Sequence, residues 1–229
     1  MKKLSTVFFA AVLLISVGLP VCALNQGTPQ SEREQAFSVA VSKGDIETAG
    51  LLIGEMDENV KKQALCFSIA GAKVESRHWD MALFLLDNGA DPNAQCGYKG
   101  EGDEDWRPSF LMWVVKGYFT SASYIETKEE ELPLRLQVVR KAIEKGVKVN
   151  EKYHTLVNDE MGPVLSVAIA ANNLDMVQIL VEEGKADLYA TVSGDILGVK
   201  TIMEYAEIFA GRWEKTEIFD YLKSKTEEQ

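Results

Sequence analysis

The segment that most constrains the fold of this chain is residues 83–95, which read LFLLDNGADPNAQ. Its leucines are typical of the last turns of a packed helix, and Gly89 can adopt the positive φ that ends such a helix. The residues that follow, Ala-Asp-Pro-Asn at 90–93, are typical of a turn. A helix that ends in a tight turn is therefore predicted, and a recurrence of this ending would indicate a repeated unit.

The same ending recurs twice later in the chain. Residues 144–150 read EKGVKVN, and residues 183–187 read EGKAD with one additional residue. Two distant helical pairs also place a turn residue at the same offset, Gly44 after Phe37 and Asn172 after Leu165. Because one pair of helices cannot bury its apolar stripe alone, such pairs are predicted to stack and to share a continuous core.

These motifs resemble the ankyrin repeat family, whose pattern runs Thr-Pro-Leu-His-x-Ala-Ala, then Gly-x-x-x-x-Val-x-x-Leu-Leu, then Gly-Ala-Asp-x-Asn. Residues 88–94, NGADPNA, match the last part closely, and residues 201–206, TIMEYA, mimic the opening of a final repeat. The resemblance implies an all-α, ankyrin-repeat solenoid of about five degenerate helix-turn-helix repeats with hairpin and loop insertions. The repeats are expected at about 31–60, 61–97, 107–152, 162–192 and 199–225.

The spacing of the repeats predicts three insertions. The first helices are expected to centre on Ala40, Ala70, Val114, Ala168 and Ala206, which are 30, 44, 54 and 38 residues apart. The family repeats at about 33 residues, so the extra residues are assigned to 96–109, 117–133 and 153–162. The charged stretch at 213–229 is expected to form the polar outer helix of a terminal cap.

The first 23 residues are predicted to be a secretory signal peptide. Lys2 and Lys3 precede an apolar stretch at about 7–19, and Val21-Cys22-Ala23 fits the small-x-small cleavage pattern. Lipidation at Cys22 is the alternative, although Val21 stands where lipoprotein processing prefers a small residue. The apolar stretch is shorter than the about 20 residues that span a bilayer. A soluble periplasmic domain is therefore expected at 24–229.

The mature chain is strongly acidic. The predicted signal peptide contains two lysines and no acidic residue, so its removal changes the net charge from −11 to −13. This charge argues against binding to nucleic acid phosphates and to anionic membrane surfaces. It predicts a protein partner with a basic surface patch, with a merely solvated acidic surface as the alternative.

Two cysteines, Cys66 and Cys96, lie beyond the predicted cleavage site. In an oxidising compartment such a pair could form a disulfide, and the residues leave the bonded and the free states open. Two cysteines without further ligands do not make a zinc site.

Motifs for catalysis are missing from the sequence, which lacks a Gly-x-Ser-x-Gly elbow, a phosphate-binding glycine loop and His-Glu-x-x-His. The two histidines, His78 and His154, are interpreted as structural or exposed. The acidic loop at 100–105 does not continue as a calcium site, because the twelfth position from Asp103 is Val114. The chain is therefore expected to be no enzyme and to need neither a cofactor nor a metal ion.

Aromatic and acidic residues are concentrated in the predicted insertions. Tyr and Trp dominate binding energy at protein interfaces, and long loops in a compact array are usually functional or disordered. Trp113 and Phe119 are expected in the core, and packing within the loops is the alternative for Tyr98, Trp106 and Tyr124. The predicted partner-binding residues are Tyr98, Glu101, Asp103, Glu104, Asp105, Trp106, Tyr118 and Tyr124.

The resemblance and the predicted export signal together imply a non-enzymatic interaction protein of the bacterial periplasm. Family members recognise proteins through hairpin tips and the concave face of the inner helices. Exported ankyrin proteins of this size resemble immunity proteins, which neutralise cognate secreted toxins such as phospholipase effectors. The alternatives are an accessory protein that supports a stress-defence enzyme and, from another class, a hydrolase built on helical repeats.

Overall fold

The computed structural model of the chain is mostly helical, which confirms the predicted helical class. It describes residues 30–70, 78–96, 108–117, 131–154, 161–194 and 198–227. In these ranges no helix has the length and the apolar composition needed to cross a membrane. The helices are α1 (Gln30–Lys43), α2 (Ile46–Leu52), α3 (Glu58–Ala70), α4 (Trp79–Asp87), α5 (Phe110–Lys116), α6 (Leu132–Glu144), α7 (Val164–Ala170), α8 (Leu174–Glu182), α9 (Ile202–Trp213) and α10 (Glu217–Glu227).

The turn residues end the helices in the predicted way. Gly44, Gly89 and Gly146 have φ angles of 68°, 85° and 84°, and Asn172 has a φ of 50°. The additional residue in EGKAD is also accommodated in the left-handed region, because Lys185 has a φ of 54°. The local prediction of the helix ends is therefore confirmed.

Polar side chains fix several helix starts. An oxygen of Asp45 accepts the Thr48 N–H at 3.0 Å at the start of α2. Likewise, an oxygen of Asp57 accepts the Val60 N–H at 2.8 Å at the start of α3. Each contact satisfies a backbone donor that has no partner within the helix. The helix α3 spans Glu58–Ala70, so Ala70 is its last residue and not its centre. The prediction that a first helix centres on Ala70 is therefore wrong.

The helices form five successive pairs in two layers. Within each pair the odd-numbered helix packs against the even-numbered helix that follows it, from α1 with α2 to α9 with α10. The odd-numbered helices also contact one another in the order α1, α3, α5, α7 and α9, and the helices α4, α6, α8 and α10 stack in the same way. Their buried side chains form one cluster that runs through all the pairs.

Two of the odd-numbered helices, which form the inner layer, are buried on every side. The six residues 110–115 of α5 and the six residues 164–169 of α7 are at most 5 % exposed. A helix that is apolar all round belongs in a core. Trp113 is one of these residues, so its predicted core position is confirmed, whereas Phe119 lies outside the described residues.

One charged side chain is part of this core. Arg135 of α6 is 2 % exposed, and its guanidinium donates to the carbonyl oxygens of Val114 and Val115 at 2.7–3.0 Å. Carbonyl groups in the last turn of a helix lack partners within it, and a cation there is favoured by the helix dipole. Arg135 therefore joins α6 to the C-terminal end of α5.

A small sheet is the feature that the all-α prediction omitted. The strands β1 (Tyr153–His154), β2 (Met161–Gly162), β3 (Thr191–Gly194) and β4 (Gly198–Thr201) form one antiparallel sheet in the order β1-β2-β3-β4. The first two strands belong to the insertion predicted at 153–162, and the other two connect α8 to α9. Each strand has four residues or fewer, too few for an alternating pattern to stand out in the sequence.

Candidate interaction surface

The predicted partner-binding residues lie outside the described part of the chain. This applies to all of Tyr98, Glu101, Asp103, Glu104, Asp105, Trp106, Tyr118 and Tyr124. They stay a prediction. The described residues show how the chain on either side of the segment 97–107 is held.

The two ends of the segment 97–107 are joined by backbone hydrogen bonds. The Cys96 N–H donates to the Pro108 carbonyl at 2.9 Å, and the Phe110 N–H donates to the Ala94 carbonyl at 2.7 Å. Gln95 and Ser109 form an antiparallel bridge between them. The chain therefore leaves and re-enters the array at one closed point.

A disulfide holds the same point against the helices. Cys96 is bonded to Cys66 of α3, with their Cα atoms 5.2 Å apart. The indole Nε1 of Trp113 donates to the Cys96 carbonyl at 2.8 Å. Of the two states that the sequence leaves open for these cysteines, the structure has the bonded one.

One of the two histidines connects two helix pairs. His78 Nε2 donates to the Ser42 carbonyl at 3.1 Å and so links the first two helix pairs. His154 lies in β1, and no group of three or more histidine, cysteine or acidic side chains in the described ranges could hold a metal ion. A cavity of about 10 Å³ between α7, α9 and α10 has the volume of about one water molecule.

Two asparagines connect the turns of successive pairs. Asn93 Oδ1 accepts the Lys148 N–H at 2.8 Å, and Asn150 Oδ1 accepts the Asp187 N–H at 2.8 Å. Asn150 Nδ2 also donates to the Lys185 carbonyl at 3.2 Å. We call these contacts the asparagine ladder, and it sets a common register for the turns that lie on one side of the array.

Several charged residues of the even-numbered helices, which form the outer layer, are paired within the molecule. Lys141 of α6 lies 3.0 Å from both Asp87 and Glu144, and hydrogen bonds to Glu144 and Asp87 raise the pKa of its ammonium group. Arg140 lies 2.9 Å from Glu183, the residue that follows α8. Exposed pairs of this kind add little to stability and keep the outer face hydrated.

The inner helices at the centre of the array present no open face in the described residues, since α5 and α7 are buried all round. One cover of α7 is the sheet: a Cβ on Gly162 of β2 would lie 2.9 Å from Ser166 Oγ and 3.2 Å from both Cγ atoms of Val192. Recognition through a concave inner-helix face, which the family resemblance implies, therefore has little support at these two helices.

The opposite face of the sheet is open. Antiparallel pairing sets Met161 beside Ser193 and Ser193 beside Val199, and it sets Thr191 beside Thr201. Directly paired residues share a face of the sheet and alternate residues change face. Val192 is 2 % exposed on the α7 side, so Val199, which is 68 % exposed, lies on the outward side. We call Met161, Thr191, Ser193, Val199 and Thr201 the sheet face.

Two further residues border the sheet face. Lys152 Nζ donates to Thr191 Oγ1 at 2.6 Å. Tyr189, which lies two residues before β3, is 65 % exposed, and Tyr189 and Val199 are the most exposed large hydrophobic residues of the described chain. Lys152, Tyr189 and Val199 were not among the predicted partner-binding residues. The sequence gives only a weak strand signal here, in the alternation of residues 189–193, YATVS, and in the flanking glycines.

The free edge of β4 is nearly closed. In an antiparallel ladder, residues whose backbone groups bond to the neighbouring strand alternate with residues whose groups point away from it. The Ile202 N–H donates to the Ala190 carbonyl at 3.0 Å. The backbone groups of Thr201 and Val199 therefore point away from β3. Glu204 accepts the Thr201 N–H at 2.8 Å, and this bond is the main cause of the lowered pKa of its carboxyl group. One residue, Val199, is left with an edge-facing donor and acceptor in the described strand.

Comparison with known proteins gives this chain no family. No family model matches it, and no curated protein matches it either. The arguments for its function therefore start from the geometry above.

Proposed function

We propose that this chain is an exported ankyrin-type repeat array that binds and neutralises a cognate secreted toxin in the bacterial periplasm. The observation that carries the proposal is the repeated register of the helix pairs. Five pairs follow one another, a left-handed residue recurs in the turns after α4, α6 and α8, and the asparagine ladder joins these three turns. Arrays of this kind offer extended surfaces rather than enclosed pockets, and such surfaces suit the recognition of proteins.

Export is supported by a second, independent feature. The Cys66–Cys96 disulfide is of the kind that forms and persists in oxidising compartments such as the periplasm. It agrees with the predicted signal peptide, whose residues lie outside the described chain. It also attaches the base of the segment that contains six of the eight predicted partner-binding residues.

The charge supports a basic partner. A mature net charge of −13 attracts a protein with a basic patch and speeds their encounter, especially at low salt. In a toxin–immunity pair the acidic aromatic segment would cover the catalytic cleft of the toxin, for example that of a phospholipase effector.

Capture from the native host tests this proposal. The chain is tagged at its C-terminus, recovered from a periplasmic extract, and its bound proteins are identified by mass spectrometry. The proposal predicts one dominant exported protein whose expression in a host lacking this chain arrests growth, and growth that returns when the chain is co-expressed. Absence of a specific partner, or a partner that is a resident stress-defence enzyme without toxicity, would contradict it.

A further inference from the structure

The sheet face differs in kind from the rest of the described surface. Several charges of the outer helices are already paired, and α5 and α7 are covered, whereas the sheet face combines Val199, partly exposed Met161 and three hydroxyl side chains. An exposed apolar group framed by polar side chains is typical of an interaction site. The adjacent Tyr189 belongs to a residue type that is enriched at interfaces.

Lys152 gives this surface a definite charge. Its ammonium group donates to Thr191 Oγ1, and no carboxylate of the described residues lies within 4 Å of it. The nearby Lys148 differs, since it lies 2.6 Å from Glu151. An ammonium group has three donors, so Lys152 can hold the Thr191 hydroxyl and still bind a carboxylate from outside.

Two other occupants fit the geometry less well. An added strand needs a row of backbone donors and acceptors, but Glu204 already occupies the Thr201 N–H at the edge of β4. A second copy of the chain related by a two-fold axis would bring the sheet face and its borders onto themselves, and the carboxylates there, Glu151 and Glu204, already accept from Lys148 and Thr201. The remaining occupant is a different protein that contacts the side chains of this face.

We infer that the sheet face docks a partner protein through an apolar side chain that packs on Met161 and Val199, next to a carboxylate that pairs with Lys152. This inference rests on the proposed function, because it specifies how the partner is contacted. The partner combines a mainly basic surface, which suits the acidic chain as a whole, with one acidic residue at this site.

Site-specific photo-crosslinking in the host locates the contact. The crosslinker p-benzoylphenylalanine replaces Val199 in one variant and Leu51 of α2 in a control, since Leu51 is also exposed, at 49 %. The inference predicts a crosslinked product with one partner at position 199 and none at position 51. A product at 51 alone, a product of two copies of this chain, or no product at 199 would overturn it.

Binding of the purified partner then tests the chemistry. By isothermal titration calorimetry, V199D and K152E should each weaken affinity by about tenfold or more, while L51D should change it less than about threefold. The partner carboxylate that lies nearest the crosslinked position can then be replaced by lysine. This replacement should restore the affinity of K152E.

The outcomes separate this inference from the proposed function. If the partner is captured and neutralised but V199D and K152E bind it like the wild type, the sheet face is wrong and the proposed function stands. If no partner is captured at all, the proposed function fails first. Circular dichroism and the melting temperature of each variant verify that it is folded, so that weakened binding reports on the contact itself.

Discussion

Asn93 and Lys148 join two turns that are 55 residues apart in the chain: the side-chain oxygen of Asn93 accepts the backbone N–H of Lys148 at 2.8 Å. Asn150 repeats the contact with Asp187 and adds a bond to the Lys185 carbonyl. A side chain that accepts a backbone donor in the next turn fixes the register between neighbouring pairs. The array is therefore aligned by side chains as well as by apolar burial.

Removal of the asparagine ladder should destabilise the array in proportion to the bonds lost. N93A should lower the free energy of unfolding by about 0.5–1.5 kcal/mol and N150A by more, because Asn150 makes two such bonds. Urea denaturation measures both. N59A is the control, since Asn59 is exposed in the first turn of α3, and it should change stability by less than about 0.5 kcal/mol. Equal effects of all three substitutions would contradict the ladder.

Gly44 should be far less tolerant of alanine than Gly89. Both have positive φ, so either substitution costs about 1–2 kcal/mol of backbone strain. A Cβ at Gly44 would also lie 2.5 Å from His78 Nδ1, whereas a Cβ at Gly89 would meet nothing within 4 Å. G44A should therefore cost about 1–3 kcal/mol more than G89A in denaturant unfolding.

A double-mutant comparison assigns that difference to His78. In an H78A background the cost of G44A should fall to that of G89A, because the clashing ring is gone. If the cost of G44A is the same with and without His78, the two residues are not packed together as described.

The disulfide should contribute strongly to stability. It closes a loop with a sequence separation of 30 residues, for which chain entropy predicts roughly 3–4 kcal/mol. The double variant C66S/C96S should lose this amount in guanidinium unfolding, and the wild type under reducing conditions should match it. Equal stability of the oxidised wild type and the double variant would show that the bond is dispensable.

Two arginines on α6 should respond differently to the same substitution. R135M removes three hydrogen bonds from buried carbonyl groups of α5 and should cost about 1.5–3 kcal/mol. R140M removes an exposed ion pair with Glu183 and should cost at most about 1 kcal/mol. Thermal unfolding followed by circular dichroism compares them, and an R140M variant that is the less stable of the two would contradict the buried role of Arg135.

The parts of the fold that depend on local chemistry could be predicted from the sequence. Gly44, Gly89 and Asn172 revealed helix ends because a positive φ restricts the residue types that fit. The strands at Met161 and Val199 could not be predicted in this way, since both are short and the pairing of Met161 with Ser193 joins two hairpins that are distant in the sequence.

The site was harder to predict than the fold. Tyr98 and Trp106 were selected by residue type and by their position in a predicted insertion, and they stay a prediction because they lie outside the described residues. Val199 and Lys152 drew no attention, because their significance depends on the register that exposes one and sets the other beside Thr191. Cys66 and Cys96 were recognised as a pair whose bonding only their distance decides.

Native-state hydrogen exchange of the full chain, followed by mass spectrometry, tests most directly the claim that helix pairs are stabilised by their neighbours. The account predicts graded opening, in which amides of α1, α2 and α10 at the ends exchange through smaller free energies than those of α5 to α8 at the centre. One common free energy of opening for every helix would contradict it, because it would mean a single indivisible core.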